Sequence, residues 1–310
     1  MPRALLAFLA AATFVAGLAT GPAAAQTAPR PAATAKPATA VAAATATATD
    51  TLGKIRAAKQ INVAFSGDSL PFSFVDDKGQ PAGFSIDLCK RVIVQIGRAA
   101  GVPDLKTHRL VGTVAERIAM VASGKADLDC ANTSATLSRM ADVDFSALIF
   151  VDGGGFLVRS DSSAKRFAEL AGKNIGVLSG TTTEKRLDEA LKTRLVNAKV
   201  TKLNDGNEGI AMLESGSLDA FASDKIKLVG LAAQAKDPNA LAMLPDDLSI
   251  EPYAFAMPRN DSAFRLQVNR ALTQVYNSPE LENIFTRWLG KIGRPSGLLA
   301  AMYLLNTWPE

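Results

Sequence analysis

The sequence predicts an α/β protein of two lobes, each a largely parallel sheet flanked by helices. Three observations predict it: a duplicated helix–strand unit, short apolar strands alternating with helices, and two crossings between the halves that fall side by side. The duplicated unit runs from Ile118 to Ala131 and again, 92 residues on, from Ile210 to Ser223, with six of fourteen positions identical. A capping signal precedes each copy, Thr113 with Glu116 and Asp205 with Glu208. Each helix stops at a glycine, Gly124 or Gly216, and a short apolar strand follows. The first strand ends in Asn132, Thr133 and Ser134, the second in Asp224. Helix–glycine–strand grammar also recurs by chance; the other elements decide.

In order, Ile61 to Phe65 alternates and reads as a strand, Ser66 to Pro71 as a loop, and Phe72 to Val75 as a short strand closed by the turn Asp76 to Gln80. A helix opens at about Ser85 with Asp87 in its first turn, where the dipole favours an acid. Ile86, Ile93 and Ile96 mark its buried side; Gly101 and Pro103 end it. Leu105 to Leu110 is a strand, and the first duplicated unit follows. Val143 to Val151 is an extended apolar run closed by Asp152 and the glycines Gly153 to Gly155, where the chain changes lobe. Phe156 to Val158 starts the second series. Leu170 to Leu178 supplies a turn and a strand, Thr181 with Glu184 caps a helix, and Val196 to Leu203 is a strand ahead of the second unit. Pro245 to Tyr253 crosses back, Ala254 to Met257 is a strand, and Phe264 to Tyr276 and Glu280 to Leu289 are amphipathic helices. Gly297 to Glu310 is a helix packed on the first lobe, or a docking helix for a partner. Alternating strands and helices imply largely parallel sheets. The expected lobes are residues 51–153 with 253–310, and residues 154–252, joined by a two-strand hinge that lets them close.

The first fifty residues are not part of this fold. One early charge (Arg3), an apolar run from Ala4 to Leu18 and Ala23 to Ala25 before Gln26 read as a cleavable secretory signal over residues 1–25. The run is too short and alanine-rich for a membrane span. Residues 26–50, mostly Ala, Thr and Pro, read as a disordered linker. Arg3, Arg30 and Lys36 against Asp50 carry half of the net charge of +4. The remainder has no basic cluster interleaved with aromatics, so nucleic acid is not an expected partner. One histidine, His108, and two cysteines without paired spacing make no metal set, and no cofactor is expected. An even cysteine count in an exported chain points to a disulfide between Cys89 and Cys130, two separate buried thiols being the alternative.

Eight motifs follow one another at characteristic spacing: Pro71 to Phe74, Gly83 to Asp87, Arg117 to Asp127, Cys130 to Arg139, Val143 to Ser146, Leu170 to Lys173, Ser179 to Thr182 and Leu213 to Asp224. Over about residues 51–290 the chain resembles the periplasmic solute-binding proteins of polar amino-acid ABC importers, especially their glutamate/aspartate-binding branch. The resemblance implies the two-lobed periplasmic binding protein fold (type II), a periplasmic location, an amino acid as ligand, a membrane permease as partner and a monomer. It carries the family's carboxylate-binding arginine onto Arg139 and main-chain contacts of the ligand onto Asn132 and Ser134. Thr182 and Asp224 answer from the second lobe, Arg117 matches a side-chain contact, and Ser66 and Phe72 fall in or just before the Pro-Phe-Ser motif.

The chemistry agrees. An amino acid loses water from both its α-carboxylate and its α-ammonium when a cleft shuts, and each needs a hydrogen-bonded counter-charge. A planar guanidinium matches a carboxylate's two oxygens. The free N–H groups at the start of the helix holding Thr182 favour an anion, although Thr181 already caps that helix. Asp224 would meet the ammonium. The branch has a basic residue where this chain has Ser66, a His where it has Gly206 and a polar or aromatic contact where it has Val114, so a neutral polar or small ligand comes into view. Two other functions fit the fold: a sensor or accessory protein outside transport, and an enzyme resembling cyclohexadienyl dehydratase. The latter needs a general acid, for which Asp224, Glu184 and Glu208 are the acids at hand.

Overall fold

The computed structural model describes residues 50–309. The expected signal segment, 1–25, and all of the linker but Asp50 lie outside the described residues. Asp50 itself accepts a hydrogen bond from the Gly53 N–H and caps a helix that the sequence reading did not separate, α1 (Thr51–Ala58).

The first half contains β1 (Gln60–Phe65), β2 (Asp68–Ser69), β3 (Ser73–Val75), β4 (Pro81–Ala82), α2 (Phe84–Ala100), β5 (Lys106–Val111), α3 (Val114–Ala122) and β6 (Leu128–Asp129). Thr113 and Glu116 close a reciprocal capping box on α3. The long strand β7 (Asp144–Arg159) leads out. The second half contains β8 (Asn174–Leu178), α4 (Thr182–Thr193), β9 (Lys199–Leu203), α5 (Gly206–Glu214), β10 (Ala220–Asp224), α6 (Lys225–Ala232) and β11 (Leu241–Met243). The strand β12 (Ser249–Met257) returns, and α7 (Ser262–Tyr276), α8 (Glu280–Leu289) and α9 (Gly297–Leu305) finish the first half.

One sheet runs through both halves in the order β5-β1-β6-β12-β7-β10-β8-β9. Its outer pairs, β1 with β5 and β6, and β8 with β9 and β10, are parallel. The centre is antiparallel, with β7 beside β12 and Asp152 opposite Glu251. The hinge is therefore a two-stranded antiparallel ribbon through the middle of the molecule. The glycines at 153–155 do not end β7 as the sequence reading had it. They lie within it, because glycine keeps the backbone ladder while removing side chains: a Cβ on Gly154 would collide with Ser249 Oγ, and one on Gly155 with the Lys225 stem.

Hydrophobic cores form on either side of this ribbon. Ile61, Phe84, Leu88, Val92, Phe150, Phe255, Phe264 and Leu272 belong to the large cluster of the first half. Phe156, Ile175, Val177, Leu187 and Ala222 form one cluster of the second half, and Leu203, Leu213, Phe221, Leu228 and Leu231 another. The C-terminal helix α9 packs on the first half: Leu299, Met302 and Tyr303 join its core, and the Tyr303 hydroxyl donates to the Ile149 carbonyl.

Cys89 on α2 and Cys130 just past β6 are joined in a disulfide across 41 residues of sequence. Closing a loop of that length removes on the order of 4 kcal/mol of denatured-state entropy in the chain-entropy account. Reduction, or Cys89→Ala with Cys130→Ala, is expected to lower the melting temperature by about 10 °C. Differential scanning calorimetry with and without reductant checks this.

Candidate functional site

A cavity of about 380 Å³ opens between the halves beside the hinge. The first half lines it with Ser66 at the end of β1, Arg117 on α3, and Asn132, Ser134 and Arg139 beyond β6. The second half lines it with Thr182 on the first turn of α4 and Asp224 at the end of β10. Seven of the eight ligand-binding residues expected from sequence thus share one cavity. Phe72 does not. It is fully buried, its ring edge-on to Phe84, Phe150 and Tyr253, and it supports the hinge from inside the first core. A bulky aromatic next to Pro71 is legible as apolar, but not as facing away from the cleft.

Arg117 is present but committed. Its Nε donates to Asp129 at 2.9 Å, its Nη1 to the Gly112 carbonyl and its Nη2 to Thr133. Arg139 is freer: Nη1 donates to the Ser134 carbonyl at 2.8 Å, and among the described residues no carboxylate forms an ion pair with it. Burial depresses its pKa, and the nearby carboxylate of Glu251 opposes that most strongly. A guanidinium held by one carbonyl, with other N–H groups unassigned, has donors to offer a carboxylate.

Asp224 faces Arg139's half. Its carboxylate accepts from Tyr253 Oη at 2.6 Å, Thr183 Oγ1 at 3.0 Å and Asn132 Nδ2 at 3.4 Å. Although it is the N-terminal flanking residue of α6, its side chain does not cap that helix. Burial raises its pKa, and the charge of Glu251 adds to the rise. A ligand ammonium would oppose both effects by stabilising the charged carboxylate.

Three residues of this centre were missed from sequence. Glu251, 1% exposed, accepts from Ser134 Oγ at 2.5 Å, Thr182 Oγ1 at 2.6 Å and Ser249 Oγ at 2.5 Å. It ties the first half to the second at the hinge through the hydroxyls of two expected ligand residues, Ser134 and Thr182. Tyr253 donates to Asp224, and Asp152 Oδ2 lies 3.2 Å from the same hydroxyl oxygen. The signal that could have found them was a carboxylate in each crossing segment, Asp152 directly after the apolar run to Val151 and Glu251 between Ile250 and Pro252.

A hydroxyl has one proton to donate, so an Asp152 that keeps its proton completes the chain Asp152–Tyr253–Asp224. Burial, then the charge of Asp224, raises the Asp152 pKa from 3.8 to about 7, against the N–H groups of Gly153 and Ile226. The fold favours the neutral form. Its stabilising contribution is complete below pH 3.8 and is lost as pH rises through about 7. The melting temperature should therefore fall by on the order of 5 °C between pH 5 and 8, and Asp152→Asn should flatten that slope. Neutralising Asp224 with a ligand ammonium should also release protons near pH 7, readable by calorimetry in buffers of different ionisation enthalpy.

Of the three acids considered for catalysis, Asp224 lines the cavity, and Glu184 and Glu208 are engaged locally. Glu184 accepts from the Gly180 N–H at 2.7 Å and pairs with Lys202 at 2.6 Å; Glu208 accepts from the Asn204 N–H at 2.9 Å. Among the described residues no group of three or more His, Cys, Asp or Glu could hold a metal ion, and no helix is long and apolar enough to cross a membrane.

Comparison with known proteins places this geometry. The model of the bacterial extracellular solute-binding proteins, family 3, matches residues 61–291. The L-glutamate/L-aspartate-binding protein of Pseudomonas aeruginosa is 32% identical over 81% of this chain and 83% of its own length. Among solved structures, an ancestral arginine-binding protein bound to glutamine superposes with a TM-score of 0.67 at 27% identity, covering 75% of this chain and 98% of that one. The ancestral amino-acid-binding protein AncCDT-1, described as a precursor of cyclohexadienyl dehydratase, gives 0.66 at 28%, covering 77% and 99%.

Proposed function

Because the chain belongs to the bacterial extracellular solute-binding proteins of family 3, we propose that it captures a free α-amino acid between its halves and delivers it to the permease of an ABC importer. The lobes are residues 51–153 with 253–310, and residues 154–252. The protein works in the periplasm after removal of the signal peptide, as a monomer. Arg139 takes the α-carboxylate, helped by the free N–H groups that start α4, with the Ser134 and Thr182 hydroxyls turning from Glu251 to the ligand. Asp224 takes the α-ammonium, and Asn132 orients it. The observation that carries this reading is that Arg139 and Asp224, 85 residues apart in sequence, line one cavity from opposite halves.

Binding rather than catalysis is supported by the named relatives, which are binding proteins. It is supported too by the local engagement of Glu184 and Glu208. A ligand that binds only the folded protein raises its melting temperature by mass action. A thermal-shift screen of amino acids, with native mass spectrometry of the ligand carried through purification, tests the proposal. A response to one or a few amino acids is expected. No response to any amino acid, amine or carboxylate would contradict it, and turnover of prephenate or arogenate would replace it with the enzymatic reading.

A further inference from the structure

We propose that Asp68 and Lys227 select the ligand's side chain, admitting uncharged hydrogen-bonding groups, carboxamide or hydroxyl, and rejecting both carboxylates and cations. This rests on the amino-acid-capture reading and deepens it.

Asp68 lies on β2 in the first half and Lys227 on α6 in the second; both line the cavity of Arg139 and Asp224. Lys227 Nζ meets Asp68 Oδ2 at 3.1 Å, and the Gly206 N–H at the start of α5 donates to the same oxygen at 2.8 Å. Asp68 Oδ1 accepts from Ser66 Oγ at 2.9 Å. Gly206 makes the arrangement possible: a Cβ there would stand 2.6 Å from Leu231 Cδ1 and 3.3 Å from Lys227 Cε. Lys227 is only 5% exposed, so its charge is matched by Asp68 rather than by water. Burial alone would raise the Asp68 pKa, but Lys227, the Gly206 N–H and Ser66 outweigh it and bring it down to about 2, so the carboxylate stays ionised.

Every other charge on the cavity wall has a task. Arg117 is held by Asp129. Glu116 accepts from the Thr113 N–H and hydroxyl, and Asp205 accepts from the Glu208 N–H. Arg139 and Asp224 are left for the ligand's two α-groups. A side-chain carboxylate would find the Gly206 N–H taken and the Lys227 charge already matched by Asp68, and would face that carboxylate. A side-chain cation would find Asp68 already paired and would face Lys227. Either would lose its hydration without gaining an unmatched counter-charge. A carboxamide or hydroxyl needs no counter-charge, and Ser66, Ser69 and Thr113 line the same region with hydroxyls.

Isothermal titration of the purified protein decides. Glutamine, asparagine, serine and threonine are compared with glutamate, aspartate, arginine and lysine. The tightest neutral ligand is expected to exceed every charged one by at least about tenfold in Kd. Asp68→Asn frees Lys227 and should improve glutamate or aspartate at least about tenfold relative to that neutral ligand; Lys227→Met frees Asp68 and should do the same for arginine or lysine. Ratios within one variant are read, so a general weakening of closure cancels, and if one variant does not fold the other decides. Glutamate or aspartate binding the unmodified protein as tightly as the best neutral amino acid would overturn the assignment and leave capture intact. Unchanged preferences in the folded variants would do the same. No binding by any amino acid would instead sink the capture reading, and this inference with it.

Discussion

Arg139→Met is expected to weaken amino-acid binding at least about a hundredfold, because removing one partner of a buried charge pair costs about 3–5 kcal/mol. The methionine keeps most of the apolar stem, so the change isolates the guanidinium. Without it, a ligand carboxylate entering the closed cleft meets Ser134, Thr182 and the α4 amides, but also Glu251, which already holds both hydroxyls. That carboxylate is the reason for so large an effect: without Arg139, two anions would share the hinge region with no cation between them. Arg139→Lys is expected to fall between the two, since an ammonium supplies charge without the paired donors. Titration calorimetry measures the loss, and circular dichroism confirms that the ligand-free fold is kept.

Asp224→Asn is expected to abolish the ligand-induced rise in melting temperature while leaving the ligand-free protein as stable as before, or more so. The two effects separate because Asp224 is a burden to the empty protein. It is half-buried, the charge of Glu251 adds to the rise in its pKa, and its own charge helps hold the proton on Asp152. Asparagine keeps an oxygen to accept from Tyr253 and removes the like-charge repulsion, but it cannot neutralise an ammonium. A loss of affinity of at least about a hundredfold follows from leaving that ammonium unpaired. The same substitution should also shrink the pH dependence assigned to Asp152, since the second cause of its raised pKa is gone. A variant that merely unfolded would show none of this pattern.

Much of this architecture was legible because it is written locally. The capping box of α3, the Asp205 cap of α5, the glycine stops and the alternating strands depend on residues within one or two turns of each other. Asp224 was legible because it stands at a strand end of the duplicated unit, and strand ends in such sheets face the cleft; Arg139 was legible only through the resemblance of the Cys130 to Arg139 motif. What stayed hidden depends on pairing between distant segments. The path of β7 through Gly153 to Gly155 is set by β12 and Lys225. Helix α6 lacks a side-chain cap and buries Lys227 along with Leu228 and Leu231, so it shows no clean polar face. Glu251 gains its place only when Ser134, Thr182 and Ser249 converge from three elements. Phe72 was assigned to the cleft by its motif, whereas packing against Tyr253 and Phe150 puts it behind the wall.

The most direct test of the two-ended grip uses the ligand rather than the protein. The tightest amino acid from the screen is titrated beside its α-carboxamide, which lacks the negative end, and its deaminated acid, which lacks the positive end. Each analogue should bind at least about a hundredfold more weakly than the parent, because each leaves one buried charge of the Arg139–Asp224 pair unanswered. An analogue binding as tightly as the parent amino acid would show that the charge it lacks is not gripped, and would contradict the account.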